Sequence, residues 1–362
     1  MYFPLEKIFY YPSHYIFIPI LSFFILLKIK FNKKYFFSYE LYFFIFFLLS
    51  IFRSFFSKYF EESVTLIIGF IISILYYLYV CYYLNRYNPR IIERKIKMAT
   101  LIFLILNFIV AVTDFGKIID RGVTRITGVF TDPNLFCLAI IIPIGYFLSK
   151  KQDFFDKLIS CSAIILFLKT FSRGGIVGLL FLFFIIFLQK DKNIRFYFKY
   201  ILLIILFLVF IYFLKDYLIE CINFEKLCSR IKDLNINSIN KNNLGSGRIR
   251  LWIYGLELLK NNFFFGIGMN NAPLYLLELK GDYHYLHNTF LEILVENGIL
   301  GSFFYFLFLI KFILHKSHNK QAKRIKNIIY SQLVMCFFLT SLLSIQVFFT
   351  FALYKYYNLK SK

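Results

Sequence analysis

Long apolar runs separated by short polar connections dominate this chain, with examples at residues 64–84 and 201–214. About 20 apolar residues in a helix cross the ~30 Å hydrocarbon core of a bilayer. The runs lack the apolar-polar alternation of a half-buried strand. The pattern predicts an all-α polytopic integral membrane protein with about 11 transmembrane helices, within a range of about 10–12. The predicted spans lie near 15–31, 37–52, 64–84, 97–113, 133–149, 155–169, 174–189, 196–214, 289–312, 328–343 and 347–357.

Lysine and arginine alternate between rich and poor connections along the chain. The connections 28–34 and 86–97 are rich in basic residues, whereas 53–62 and 344–346 are poor. Because cytoplasmic loops carry the basic excess, this alternation predicts an outside N-terminus. It also predicts an inside C-terminal tail, if residues 344–346 separate two short helices. A single long terminal span would place the tail outside.

The composition supports a membrane protein and argues against a soluble domain or a nucleic-acid-binding protein. The chain is 59% hydrophobic, with a mean hydropathy of +0.67, against ~45–50% apolar residues in a soluble domain. The net charge of +22 follows from the cytoplasmic loops. No basic block is interleaved with exposed aromatic residues, so we predict no nucleic-acid partner. The partner expected from composition is the lipid bilayer.

The cysteines and acidic residues predict neither a cofactor nor a metal. Four cysteines lie in apolar runs and are expected to be core residues. Cys221 and Cys228 share a loop and can pair only if that loop is extracytoplasmic. The chain has no Cys-x2-Cys pair, and the loop acids show no Asp-x-Asp spacing. We therefore predict metal independence.

One connection, residues 215–286, is far longer than a typical loop, and the charge pattern places it outside the cytoplasm. It contains a predicted amphipathic helix, capped by Ser246 or Gly247 and lying in the membrane interface or against the spans. A second short helix is predicted near Pro273, ending at Gly281. The apolar stripe of the first helix consists of Ile249, Trp252, Ile253, Leu256, Leu259 and Phe263.

Four features are predicted on the outer face. They are Arg125 with Asn134, Arg173 near a span end, Arg248 at a helix start and His287 where the long loop re-enters the membrane. Each has a structural alternative. Arg173 can extend to the interface as a snorkelling side chain, and Arg125 can be a solvated loop charge. Arg248 opposes the helix macrodipole, which favours an anionic partner there.

The stretch around His287 combines polar residues with an apolar helix. Asn288, with Thr289, can cap the following helix, which offers a structural reading of this segment. Glu292 and Glu296 lie one helical turn apart, and a charge at the bilayer centre costs at least ~2.5–3.5 kcal/mol. We expect Glu292 to reach water. We expect Glu296 to face the bundle interior with a partner.

These residues resemble the O-antigen ligase and O-antigen polymerase superfamily over roughly residues 120–315. The hallmark is a His-Asn pair followed by Glu-x-Gly-x-x-Gly, and three upstream segments resemble the family's in the same order. Phe265 stands where many members have proline. The matching residues are His287, Asn288, Leu291, Glu296, Gly298 and Gly301; Ser172-Arg173-Gly174-Gly175; Arg248, Trp252 and Gly266-Ile267-Gly268; and Arg125, Gly128 and Pro133-Asn134.

The resemblance implies a function. The family transfers a glycan from an undecaprenyl-pyrophosphate carrier, at the periplasmic side of the bacterial inner membrane. Ligases pass the glycan to lipid A–core, and polymerases pass it to a second lipid-linked glycan. It implies that His287 is the catalytic base and that Arg173, Arg248 and Arg125 bind the donor pyrophosphate. Asn288, Glu292 and Glu296 would support the site.

The apolar runs and the long loop predict a domain organisation, and alternative functions stay open. The expected parts are an N-terminal bundle at 1–214 with about 8 spans, a periplasmic loop at 215–286 and C-terminal helices at 287–362. The compact length and single matched loop favour a ligase over a polysaccharide polymerase. A transporter or flippase is a third reading, but it predicts repeat halves and charges at mid-membrane. A non-catalytic envelope protein has less support.

Overall fold

A computed structural model of the protein describes residues 38–120, 123–148, 153–190, 248–281, 283–340 and 344–360. The predicted spans near 15–31 and 196–214 lie outside these residues, as do Cys221 and Cys228. The described residues form eleven α-helices and one β-hairpin. They are α1 (Ser38–Ser54), α2 (Phe60–Asn85), α3 (Pro89–Val112), β1 (Lys117–Asp120), β2 (Val123–Ile126), α4 (Pro133–Leu148), α5 (Phe154–Leu168), α6 (Arg173–Lys190), α7 (Arg248–Asn261), α8 (Ala272–Lys280), α9 (Thr289–Leu314), α10 (Lys320–Met335) and α11 (Ile345–Leu359).

The predicted spans that fall on described residues are helical, and the protein is mostly helical. Within the described residues, three helices, α2, α3 and α9, are long and apolar enough to cross a membrane. The apolar helices α4 and α6 are shorter. The short loop helix predicted near Pro273 is confirmed as α8, which ends at Gly281 in the left-handed conformation with φ 68°.

The predicted span at 328–343 is wrong in its position. The helix α10 ends at Met335, and a single 3-10 turn follows at Cys336–Phe338. The backbone leaves the helix because the Leu339 carbonyl and the Thr340 hydroxyl make hydrogen bonds to α9. The next helix, α11, begins after Ser344. The two separate helices required for an inside tail are therefore present, and the sidedness itself stays a prediction.

The chain divides into two compact units. Of the described residues, those within 38–99, 251–329 and 336–360 form the first unit, and those within 100–190, 248–250 and 330–335 form the second.

In the first unit α1 packs along α9 and α2 packs along α11. The Tyr39 ring of α1 meets Phe312 of α9 edge-on at 5.7 Å between centroids. An ion pair lies inside this packing, because Lys355 Nζ donates to both Glu40 oxygens at 2.8 and 2.9 Å. The Tyr77 hydroxyl donates to the same carboxylate. Glu40 and Lys355 are only 5% and 3% exposed, so this pair is removed from water.

In the second unit α4 packs against both α5 and α6. The hairpin places Arg125 opposite Ile118 in the antiparallel register. Asp132 accepts hydrogen bonds from the Asn134 and Leu135 amides at 2.6 and 3.3 Å. Pro133 then supplies the first helical position, which lacks an N–H in need of a partner. The segment around Asp132 and Pro133 is therefore the start signal of α4.

Candidate functional site

His287 lies immediately before α9, with a left-handed backbone at φ 50°. A residue other than glycine in this region costs of order 1–3 kcal/mol, so the surrounding structure must hold it. Asn288 Oδ1 accepts from the Phe290 and Leu291 amides at 3.1 and 3.2 Å. The prediction that Asn288 caps the helix is confirmed. Thr289 adds a second anchor, because its amide and its hydroxyl donate to the Leu339 carbonyl at 3.1 and 2.6 Å.

Both carboxylates of α9 are buried in the first unit. Glu292 is 5% exposed and accepts from the Thr340 hydroxyl at 2.6 Å, so the expectation that this carboxylate reaches water is wrong. Glu296 is 3% exposed, so its side chain is also buried. The expectation that Glu296 faces the interior is confirmed. The expectation of a partner is not, because its Oε1 has no hydrogen-bond partner among the described residues.

Tyr285 lies two residues before His287, and the sequence analysis assigned it no role. Burial raises the pKa of the Tyr285 hydroxyl to about 12, and the nearby Tyr283, Glu292 and Glu296 contribute to the rise. The hydroxyl therefore keeps its proton at neutral pH.

The two glycine motifs of the family pattern form one backbone contact. Gly298 interrupts α9 with φ 61° and ψ −175°. The amides of Ile267 and Gly268 donate to the carbonyls of Val295 and Glu296 at 3.1 and 2.8 Å. In a membrane, backbone groups freed by a break in a helix must find partners inside the protein. The turn around Gly266 supplies those partners on one side of the break.

The opposite side of the break is paired in the same way. The amides of Ile299 and Leu300 donate to the carbonyls of Phe263 and Phe264 at 2.8 and 3.3 Å. A Cβ on Gly298 would lie 2.3 Å from the Phe264 oxygen, and one on Gly266 would lie 2.4 Å from the Glu296 oxygen. Both glycines are therefore required by the close approach of the two chain segments.

Arg53, at the end of α1, is a contributor that sequence analysis missed. Its Nε donates to the Phe265 and Gly266 carbonyls at 3.0 and 3.2 Å, and its Nη2 donates to Gly266 at 2.7 Å. The Gly-x-Gly turn is thus held without the proline that many family members have at the position of Phe265. The one sequence signal for this role is that Arg53 is a basic residue in a connection that has few of them.

The amphipathic helix α7 packs through a different face from the predicted stripe. Leu251, Gly255 and Leu258 are its buried residues. Four of the six stripe residues are exposed instead. The buried face joins α8 and the start of α9 in one apolar cluster, which consists of Leu251, Leu258, Ile267, Ala272, Leu276, Leu286, Leu291 and Val295, with Trp252, Tyr254, Leu259 and Tyr275 at its edge. The exposed stripe consists of Ile249, Ile253, Leu256 and Phe263.

In the second unit the hairpin and two helix ends meet at the turn between α5 and α6. Arg125 is 8% exposed, and its Nε donates to the Thr170 carbonyl at 2.9 Å. A solvated loop charge is therefore the wrong interpretation of Arg125. The turn contains Phe171 with a left-handed backbone at φ 47°. It leads directly into Ser172 and Arg173.

Ser172 joins this turn to α4 and caps α6. Its hydroxyl donates to Asn134 Oδ1 at 2.6 Å and accepts from the Gly175 amide at 3.0 Å. A Cβ on Gly175 would lie 2.6 Å from the Cys137 sulfur, so glycine permits the close packing of α6 on α4. The structure thus brings together the Arg125, Asn134 and Ser172-Arg173 segments in one turn, with Arg173 as the first residue of α6.

The predicted site residues therefore form two local groups. His287, Asn288, Glu292 and Glu296 lie in the first unit, and the turn before Arg173 lies in the second. Arg248 is the first residue of α7. That His287 meets Arg173 and Arg248 stays a prediction.

The described residues contain no group of three or more His, Cys, Asp or Glu side chains that could hold a metal ion. Of the four cysteines expected to be core residues, Cys81, Cys137 and Cys336 are buried. Cys161 is exposed, so that expectation is wrong for this residue.

Replacing Gly298 with alanine is expected to destabilise the protein by about 1–3 kcal/mol beyond the cost of its positive φ, because the new methyl group meets the Phe264 carbonyl. Gly281→Ala is the matched control, since Gly281 has φ 68° and no atom within 4 Å of the added Cβ. Thermal unfolding of both purified variants measures the difference. Equal losses of stability would contradict the close contact.

Residues 158–306 match the family model described as O-antigen ligase. This segment contains Arg173, Arg248 and His287, and it ends within α9. Arg125 and Asn134 precede it. The resemblance predicted from the motifs is confirmed. A search of curated proteins found no match to the chain.

Proposed function

We propose that this chain, which matches the O-antigen ligase family model over residues 158–306, is a membrane glycan transferase of the O-antigen ligase superfamily. It moves an oligosaccharide or polysaccharide from undecaprenyl pyrophosphate to an acceptor hydroxyl at the periplasmic face. Lipid A–core is the favoured acceptor. The observation that carries the proposal is the backbone of His287, which is held in the left-handed region directly before a capped helix. Strain of this kind is concentrated at functional sites.

The proposed reaction is a displacement at the anomeric carbon of the donor. The acceptor hydroxyl oxygen forms the new bond to this carbon, while the bond from the carbon to the pyrophosphate oxygen breaks. Its electron pair leaves with the pyrophosphate. The imidazole of His287 takes the hydroxyl proton, for which an unperturbed pKa of ~6.5 is suitable at neutral pH.

The departing pyrophosphate requires positive charge, which Arg173 and Arg248 are proposed to supply. Each is the first residue of its helix, α6 or α7. The macrodipole favours an anion at such a position, and guanidinium binds phosphate oxygens bidentately. Arg125 supports this role by holding the turn before Arg173 through the Thr170 carbonyl. No metal is required in this scheme, so EDTA should leave transfer unchanged.

Arg173→Ala is expected to lower glycan transfer by about 10²–10³-fold, because it removes charge stabilisation of the leaving group. Arg173→Lys should recover only part of the loss, since an ammonium cannot bind bidentately. Transfer is measured in membranes from a strain that lacks the chromosomal copy, with protein amount determined by immunoblot. Wild-type transfer by the alanine variant would remove Arg173 from the site.

The pattern of lipopolysaccharide in a deletion strain separates the ligase from the alternatives. A ligase predicts uncapped lipid A–core together with accumulated lipid-linked donor on the periplasmic side. Core capped by a single repeat unit would instead identify a polymerase. Donor retained on the cytoplasmic side would identify a flippase and overturn the proposal.

A further inference from the structure

Trp252 makes a specific contact with the segment that contains His287. Its indole Nε1 donates to the Leu286 carbonyl at 3.0 Å. Leu286 itself is fully buried. One helical turn away on α7, Gly255 lies against the same residue, since a Cβ there would be 3.0 Å from Leu286 Cδ1. The helix α7 therefore packs on the residue directly before His287.

The hydrogen bond acts on the peptide plane that joins Leu286 to His287. The Leu286 carbonyl and the His287 amide belong to the same rigid plane. A fixed carbonyl direction therefore restricts rotation of that plane. This restriction also limits the φ angle of His287. The observed φ of 50° is unfavourable for histidine unless something holds it. An indole N–H is only a donor, so this contact selects one orientation of the peptide.

The other side of His287 is fixed independently. Asn288 caps α9, and Thr289 is bonded to the Leu339 carbonyl. His287 thus lies between a peptide held by α7 and a helix start held by its own cap. We propose that Trp252 is a positioning residue, which sets the direction of the His287 imidazole through the Leu286 carbonyl. This inference rests on the proposed role of His287 as the base.

Trp252 also contributes packing, because its ring lies against the edge of the apolar cluster. The two roles are separable by substitution. Trp252→Phe keeps an aromatic ring and removes the N–H donor. Leu259→Ala loosens the edge of the same cluster from the same helix and leaves the hydrogen bond in place. A purely structural role for Trp252 predicts parallel effects of the two variants.

The experiment measures kcat and KM for glycan transfer by purified protein in bilayer discs, using the lipid-linked donor and the lipid A–core acceptor. Trp252→Phe is expected to lower kcat ~10-fold or more, because a misdirected base loses its near-attack geometry. The donor KM should change less than ~2-fold. Leu259→Ala should keep kcat within ~2-fold of wild type when normalised to folded protein.

A double-variant test shows whether Trp252 acts through His287. In the His287→Ala background, Trp252→Phe should cause no further loss, because the group that it positions is already gone. Additive losses would overturn the inference. Wild-type kcat in Trp252→Phe, together with an inactive His287→Ala, would overturn it and leave the proposed function intact. Wild-type activity of His287→Ala would exclude His287 as the base and overturn the inference with it, whereas no transfer by the wild-type protein would overturn the proposed function itself.

A second substitution covers the case in which the phenylalanine variant does not fold. The chain contains a single tryptophan, so biosynthetic incorporation of an analogue with sulfur in place of the indole N–H changes one position only. The analogue keeps the fused-ring shape. The same ~10-fold loss of kcat is expected, and an unchanged kcat with the folded analogue protein would overturn the proposal.

Discussion

His287→Ala is expected to lower glycan transfer by about 10²–10⁴-fold, the range lost when a general base is removed. Donor binding should change little, because the imidazole acts on the acceptor proton. The measurement is initial transfer rate at saturating donor, with folded protein determined by size-exclusion chromatography. Transfer at the wild-type rate would exclude His287 as the base.

His287→Gly separates the imidazole from the backbone conformation that carries it. Glycine adopts a positive φ without the steric cost that histidine has at φ 50°. The glycine variant should therefore be as inactive as the alanine variant, yet about 1 kcal/mol more stable than it. His287→Asn, which tolerates the left-handed region, should be folded and equally inactive. Activity in the glycine variant would show that the backbone, rather than the ring, matters.

Lys355→Met is expected to lower the free energy of unfolding by about 3–5 kcal/mol, because it leaves the buried Glu40 carboxylate without its cation. Both side chains are nearly inaccessible to water. The Tyr77 hydroxyl alone cannot neutralise the charge. The loss should appear as a lowered thermal midpoint in detergent, and as reduced protein in membranes.

The matched control removes both charges. Glu40→Gln combined with Lys355→Met should recover most of the lost stability, since a neutral amide still accepts a hydrogen bond from Tyr77. Replacing a complete buried ion pair with neutral groups is often close to neutral in energy. A double variant no more stable than Lys355→Met would show that packing, rather than the stranded charge, causes the loss.

Local signals in the sequence predicted a large part of the fold. The apolar runs that fall on described residues are helical, because about 20 consecutive apolar residues leave the backbone few alternatives to internal hydrogen bonding. Helix caps formed by residues close in sequence were also predicted. Asn288 begins α9 and Gly281 ends α8, since each satisfies amides or carbonyls a few residues away. The position of Glu296 inside the bundle followed from the cost of a lipid-facing charge.

Contacts between residues far apart in sequence could not be predicted from one sequence. Arg53 and Gly266 are 213 residues apart, and Glu40 and Lys355 are 315 residues apart. No local propensity connects such pairs. The sequence identified the apolar stripe of α7, but it did not identify the separate face, at Leu251, Gly255 and Leu258, through which α7 packs on the cluster. The end of α10 at Met335 was missed because the contact that holds the following segment, from the Thr289 hydroxyl to the Leu339 carbonyl, joins residues 50 positions apart.

The sequence by itself determined the membrane class, the helices, their caps and the family motifs with His287 at a loop–helix junction. These depend on hydrophobic runs and on groups within a few residues of one another. Only the tertiary structure decided that the Gly-x-Gly turn is built into the break at Gly298, and that Trp252 holds the peptide before His287. Such contacts arise when separated segments pack together, because their unpaired backbone groups must find partners in one another.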